Sequence, residues 1–110
     1  MGDNLNVNLD GAKFKSNNGI VLRVITNFLS SKWFSGYELK AALASYKLGE
    51  YELFSSLDYL SDRECIKVRS LKSKEAMSIC DANLEDVEIK LAANGRLIAL
   101  SLKDDEGIEI

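Results

Sequence analysis

Four cations fall close together in this chain, Lys67, Arg69, Lys72 and Lys74, with Ser70 and Ser73 between them. Lys67 and Arg69 are two residues apart, so on a strand they share one face. Ammonium and guanidinium groups at such spacing can each neutralise a phosphate, and hydroxyls among them can donate to phosphate oxygens. The same pattern also serves as a solvated strand edge guarded by lysines against unwanted pairing. Two further hydroxyls, Ser55 and Ser56, are expected on the solvent side of a helix over Glu50 to Ser61, beside Glu50, Glu52, Asp58 and Asp62. None of these outward positions is Arg, Lys, Asn or Gln, the forked side chains that read guanine and adenine, and the chain has no glutamine at all.

Catalytic chemistry finds little to work with. There is no histidine for proton transfer, no G-x-S-x-G and no phosphate-binding loop. Cys65 and Cys80 are the only thiols, too few to hold zinc without histidine, and neither has an activating neighbour. They read as small apolar residues. The acidic run Asp104-Asp105-Glu106 reads as solvated. The expectation is a non-enzyme with no cofactor, no metal and no small-molecule substrate.

At 110 residues, 46% hydrophobic and 28% charged, the chain suits one globular domain with a single core. No apolar run approaches the roughly 20 residues a membrane span needs, and no basic-then-apolar leader opens the sequence, so a cytoplasmic protein without membrane contact is expected. The net charge of −3 is unevenly spread: residues 63 to 74 carry five cations against Glu64, and residues 75 to 110 carry nine acids against three cations. A basic strip followed by an acidic stretch fits either a partner surface or ordinary solvated faces.

The elements that would position these groups can be read from periodicity. Residues 1–18 are polar, with Leu5, Val7 and Leu9 alternating with asparagines, and suggest a loose tail or an edge strand. Val21, Val24, Ile25, Phe28 and Leu29 form a helical stripe over Ile20 to Ser31, entered through Asn17 or Asn18 as cap. Lys32-Trp33-Phe34 has strand-like composition, with Trp33 expected in the core. Ser35-Gly36-Tyr37-Glu38 is a capping box opening a second helix, with Leu39, Ala42, Leu43 and Tyr46 on one face. Lys47-Leu48-Gly49 makes a turn into the third helix, whose inward residues are Leu53, Phe54, Leu57 and Leu60.

After Asp62 the period changes to two. Ile66 and Val68 alternate with Lys67 and Arg69, and Val87, Ile89 and Leu91 with Glu88 and Lys90. Antiparallel pairing would put Lys67, Arg69, Glu88 and Lys90 on one outer face. Ser70 to Asp86 is too long for a tight hairpin, so it forms a wing with a short strand near Met77 and Ile79, or a mobile loop. Asn94 is expected to cap a last helix carrying Leu97, Ile98, Leu100 and Leu102.

The order helix, short strand, helix, helix, strand, strand, helix resembles the winged helix-turn-helix superfamily over roughly residues 19–108. In detail it resembles small winged-helix proteins of Mu-like phages and prophages. The residues that carry the likeness are Leu57 and Leu60, Asp86-Val87-Glu88-Ile89-Lys90-Leu91, Ala93-Asn94-Gly95 and Asp105-Glu106-Gly107-Ile108, with Glu106 where the family has proline. The resemblance implies an α+β winged helix and a DNA-associated or regulatory role. Duplex DNA would meet Lys67, Arg69, Lys72 and Lys74 on the wing and Ser55 and Ser56 on the third helix. The alternative is a protein-interaction module, with Trp33, Tyr37, Tyr51 and Tyr59 as anchors, or a homodimer paired through the C-terminal helix.

Overall fold

Val21, Val24 and Ile25 are buried as their helical spacing requires, but the helix that carries them is far longer than their stripe. The computed structural model of the protein describes residues 2–29, 32–79 and 83–110. In it α1 runs Gly2–Phe28. Residues 2–18 are therefore helical, not a tail or an edge strand, and Asn17 and Asn18 lie inside the helix instead of capping it. Their side chains are engaged across the fold: Asn17 Nδ2 donates to Glu52 Oε2 at 3.1 Å, and Asn18 Nδ2 to the Gly107 carbonyl at 2.8 Å. With both amides committed to tertiary bonds, and no proline in the chain, no cap or breaker halts the helix at residue 18.

The strand β1 is only Phe34–Ser35. Ser35 then caps α2 (Gly36–Ala42), its Oγ accepting from the Glu38 amide at 3.1 Å while Glu38 Oε2 accepts from the Ser35 amide at 3.1 Å. This is the expected capping box. The buried Leu39 and Leu43 hold α2 to the core, whereas Tyr46, in a single 3₁₀ turn, points to solvent. Lys47, in the left-handed region, ends that turn. The chain then enters α3 (Glu50–Asp62), which buries Leu53, Leu57 and Leu60 and packs along α1.

Two strands follow, β2 (Ile66–Ser70) and β3 (Val87–Leu91). They pair antiparallel with Lys67 opposite Lys90, Val68 opposite Ile89 and Arg69 opposite Glu88, and β1 joins the free side of β3 to give the order β1-β3-β2. Ile66, Val68, Val87, Ile89 and Leu91 are buried against the helices, and the charged residues alternate onto the other face, as the period of two requires. The wing is partly ordered by its own bonds. Arg69 bridges Ala76, the Met77 amide donates to the Val68 carbonyl at 3.2 Å, and the Ser70 amide donates to the Glu75 carbonyl at 2.8 Å. Ile79 returns to the core.

The last helix, α4, is Ala93–Ala99, and its cap position is Ala92, not Asn94. Asn94 has other work: its Nδ2 donates to the Arg63 carbonyl at 2.8 Å and its Oδ1 accepts from Lys103 Nζ at 2.7 Å. Ser101, at a φ of 60°, closes the helix, donating to the Ile98 carbonyl while Leu102 donates to that of Leu97. This left-handed ending satisfies two otherwise unpaired carbonyls. It also puts Leu102 outside the helix that was expected to contain it.

The chain then folds back across α1 and α3. Tyr59 Oη donates to Asp105 Oδ1 at 2.6 Å, the Gly107 amide donates to the same oxygen at 2.8 Å, Ile108 is buried, and the Glu109 amide donates to the Lys15 carbonyl at 3.1 Å. The described residues thus form an α+β fold of four α-helices and a three-stranded antiparallel sheet around one core. Among them, no helix is long and apolar enough to cross a membrane.

Candidate macromolecule-binding face

The wing cations stand on the outer face of the sheet because their neighbours Ile66 and Val68 must face inward. Arg69 does not point freely into solvent. Its Nε and Nη2 each lie 3.0 Å from Glu88 Oε1, directly across the strand pair, and its guanidinium carbon sits 3.9 Å from the centroid of the Trp33 ring. Lys74 Nζ reaches the same Glu88 oxygen at 2.8 Å. The Lys74 ammonium, with the Arg69 guanidinium beside it, holds the Glu88 carboxyl below its ordinary range. One carboxylate therefore organises two of the four cations proposed to meet phosphate.

Lys67 and Lys72 are exposed. Lys67 faces Lys90 across the strands, a like-charge pair that costs stability when directly opposed. Ser70 Oγ accepts from the Lys72 and Ser73 amides, each at 3.3 Å, and Ser73 Oγ accepts from the Glu75 amide at 3.3 Å, so both hydroxyls shape the wing turn. Trp33, expected in the core, is half-buried, and the Arg69 side chain lies across its ring.

The third helix presents no base reader. Ser56 is fully buried, three residues after Leu53 and four before Leu60, on the inward stripe itself; it is withdrawn from the surface site. Ser55 is half-buried. Glu50 Oε1 lies 3.6 Å from Lys40 Nζ, and Glu52 pairs with Lys13 at 3.3 Å, a contact that with Asn17 depresses its carboxyl. Tyr51, between them, is 84% exposed. Tyr59 is spent on Asp105 and on an edge contact with Phe14 at 5.1 Å.

Comparison with protein-family models, curated proteins and solved structures finds no match to the chain.

The structure brings Lys67, Arg69 and Lys74 to one side of the wing and leaves Ser55 and Ser56 on a separate helix, one of them inside it. Glu88, which pairs with two of the wing cations, had no place in the expected site, and Trp33 stood there only as an interface anchor. The alternation that put Arg69 and Glu88 on one face was the available signal for the first. Cys65 is buried, and its thiol is pushed up to about 11, chiefly by that burial, which fits an inert apolar residue. Cys80 lies outside the described residues. No group of three or more metal-ligating side chains occurs among those described.

Proposed function

We propose that this chain is a winged-helix module that docks on protein without reading DNA bases. The order α1-β1-α2-α3-β2-β3 and the sheet order β1-β3-β2 support the winged-helix assignment. The observation that carries the docking reading is the solvent side of α3, where Glu50 and Glu52 flank an 84% exposed Tyr51. Carboxylates on a helix offered to the major groove meet a dense phosphate array, while an exposed tyrosine flanked by charges suits a protein interface.

The competing reading, wing contact with a DNA backbone, rests on Lys67, Arg69, Lys72 and Lys74. One experiment separates the two. A photo-crosslinking amino acid in place of Tyr51, used in the native host, is expected to give a discrete protein adduct, and duplex titrated into the pure protein at low salt is expected to give no saturable binding. Saturable duplex binding, with a steep salt dependence that flattens when Lys67, Arg69, Lys72 and Lys74 become alanine, would overturn the docking reading.

A homodimer through α4 is favoured by a separate observation. Leu97, Leu100 and Leu102 are 43%, 59% and 71% exposed at one end of that helix. Sedimentation equilibrium is expected to show a dimer that Leu100→Glu dissociates. A monomer at every concentration rules it out.

A further inference from the structure

We infer that the cleft beside the wing is the seat for a short acidic peptide segment that inserts one large apolar side chain. The cleft, of about 420 Å³, has an apolar floor of Trp33, Val68, Ala76 and Met77, with Lys67 and Lys74 among the cations that line it. This inference rests on the protein-docking reading and names its partner chemistry.

Two features argue for an anion over the floor. Lys67 and Lys90 oppose each other on adjacent strands, and Glu88, the carboxylate next to them on β3, already holds Arg69 and Lys74. Among the described residues of β2 and β3, Lys67, Arg69 and Lys90 share one carboxylate, Glu88, which Lys74 also reaches, and the uncompensated lysine pair is relieved by an acidic ligand. The floor asks for apolar contact at the same place, so the ligand must carry both kinds of group.

Two features argue for peptide over nucleic acid. The Arg69 guanidinium already covers one face of the Trp33 ring, so that face is closed to a stacking base. The net charge of −3 and the exposed Asp62, next in sequence to the cleft residue Ser61, repel an anion in proportion to its charge and so oppose a long phosphate chain more than a short acidic segment.

Trp33 is the chain's sole tryptophan, so its emission reports on this cleft alone. The test titrates the full chain at low salt with a capped pentapeptide holding phenylalanine between two pairs of acidic residues. Parallel titrations use the same peptide with alanine for phenylalanine, one with lysines for the acids, and a short DNA duplex. A saturable emission change with the first peptide is expected. Binding should weaken about tenfold with the alanine peptide, and about tenfold in the Lys67→Glu, Lys90→Glu double variant, while Lys72→Glu leaves it within about twofold. Both reversed lysines lie on the outer sheet face, and a thermal melt checks that the variant is folded.

Absence of a saturable change, or equal binding of the lysine peptide, overturns the inference. If the Tyr51 adduct persists in that case, docking stands and only this seat is lost. Saturation by the duplex that the acidic peptide cannot displace overturns both.

Discussion

Glu88 accepts from Arg69 and Lys74 on one oxygen, and Arg69 in turn lies on Trp33, so the protonation of a single carboxyl is coupled to the chain's only fluorescent indole. The carboxyl is held below its usual 4.5 in the folded state, so the folded protein binds fewer protons than the unfolded chain there. The stability this supplies is present above 4.5 and is lost as pH falls through the depressed value. Trp33 emission should change across that acidic window, and Glu88→Gln should show the acid-state spectrum at neutral pH. Tyr59 behaves in the opposite sense. Burial, with Asp105 adding to it, pushes its phenol up to about 12 from 10.0. Its contribution is intact below 10 and declines as pH rises towards about 12; melts across that range should fall less steeply in Tyr59→Phe. At neutral pH that variant should lose roughly 1.5–3 kcal/mol in denaturant titrations, the worth of a hydrogen bond to a charged acceptor. Ser56 shows why residue-level reading failed in places: its hydroxyl suggested surface, while its spacing from Leu53 and Leu60 placed it inside. Trp33 failed the other way, because no sequence signal tied it to Arg69.

The second and third helices and both long strands were legible because each has a strong local signature, a capping box or a clean period. Replacing Ser35 with alanine should cost about 1 kcal/mol by leaving the first amides of α2 unpaired, readable as a lower denaturation midpoint. The bounds of α1 and α4 were not legible, because asparagines that look like caps are used across the fold: Asn18 on Gly107 and Asn94 on Arg63. The same close packing reverses an ordinary expectation about helical glycine. A Gly→Ala change inside a helix normally gains up to about 1 kcal/mol. At Gly19 a new Cβ would lie 1.8 Å from the Glu109 carbonyl oxygen, and at Gly95 it would lie 2.3 Å from that of Cys65. Backbone must move in both cases, so Gly19→Ala and Gly95→Ala are each expected to lose about 1–3 kcal/mol in equilibrium unfolding.

For the molecule as a whole, the order of elements and the pairing of the two long strands could be read from the sequence, since alternation and helical stripes are local properties. The return of residues 105–109 over α1 and α3 could not, since it depends on partners 46 and 89 positions away. Cys65 offers a readout of the fold as a unit. Its side chain is buried and its thiol is resistant to ionisation, so in a Cys80→Ser background alkylation should follow the globally unfolded fraction and accelerate in step with added denaturant. Labelling at the rate of a free thiol in native buffer would show that the core opens locally there.

The bonds from Asn18 to Gly107 and from Glu109 to Lys15 also fix how the molecule would answer to force. Tension applied at residues 1 and 110 meets this junction before it meets the sheet. The contacts can yield one after another, in the manner of a zipper, with the paired strands still unloaded. In optical tweezers the first event should be a short, low-force release of residues 105–110, separate from rupture of the core, and Asn18→Ala should lower that first force while leaving the second where it was.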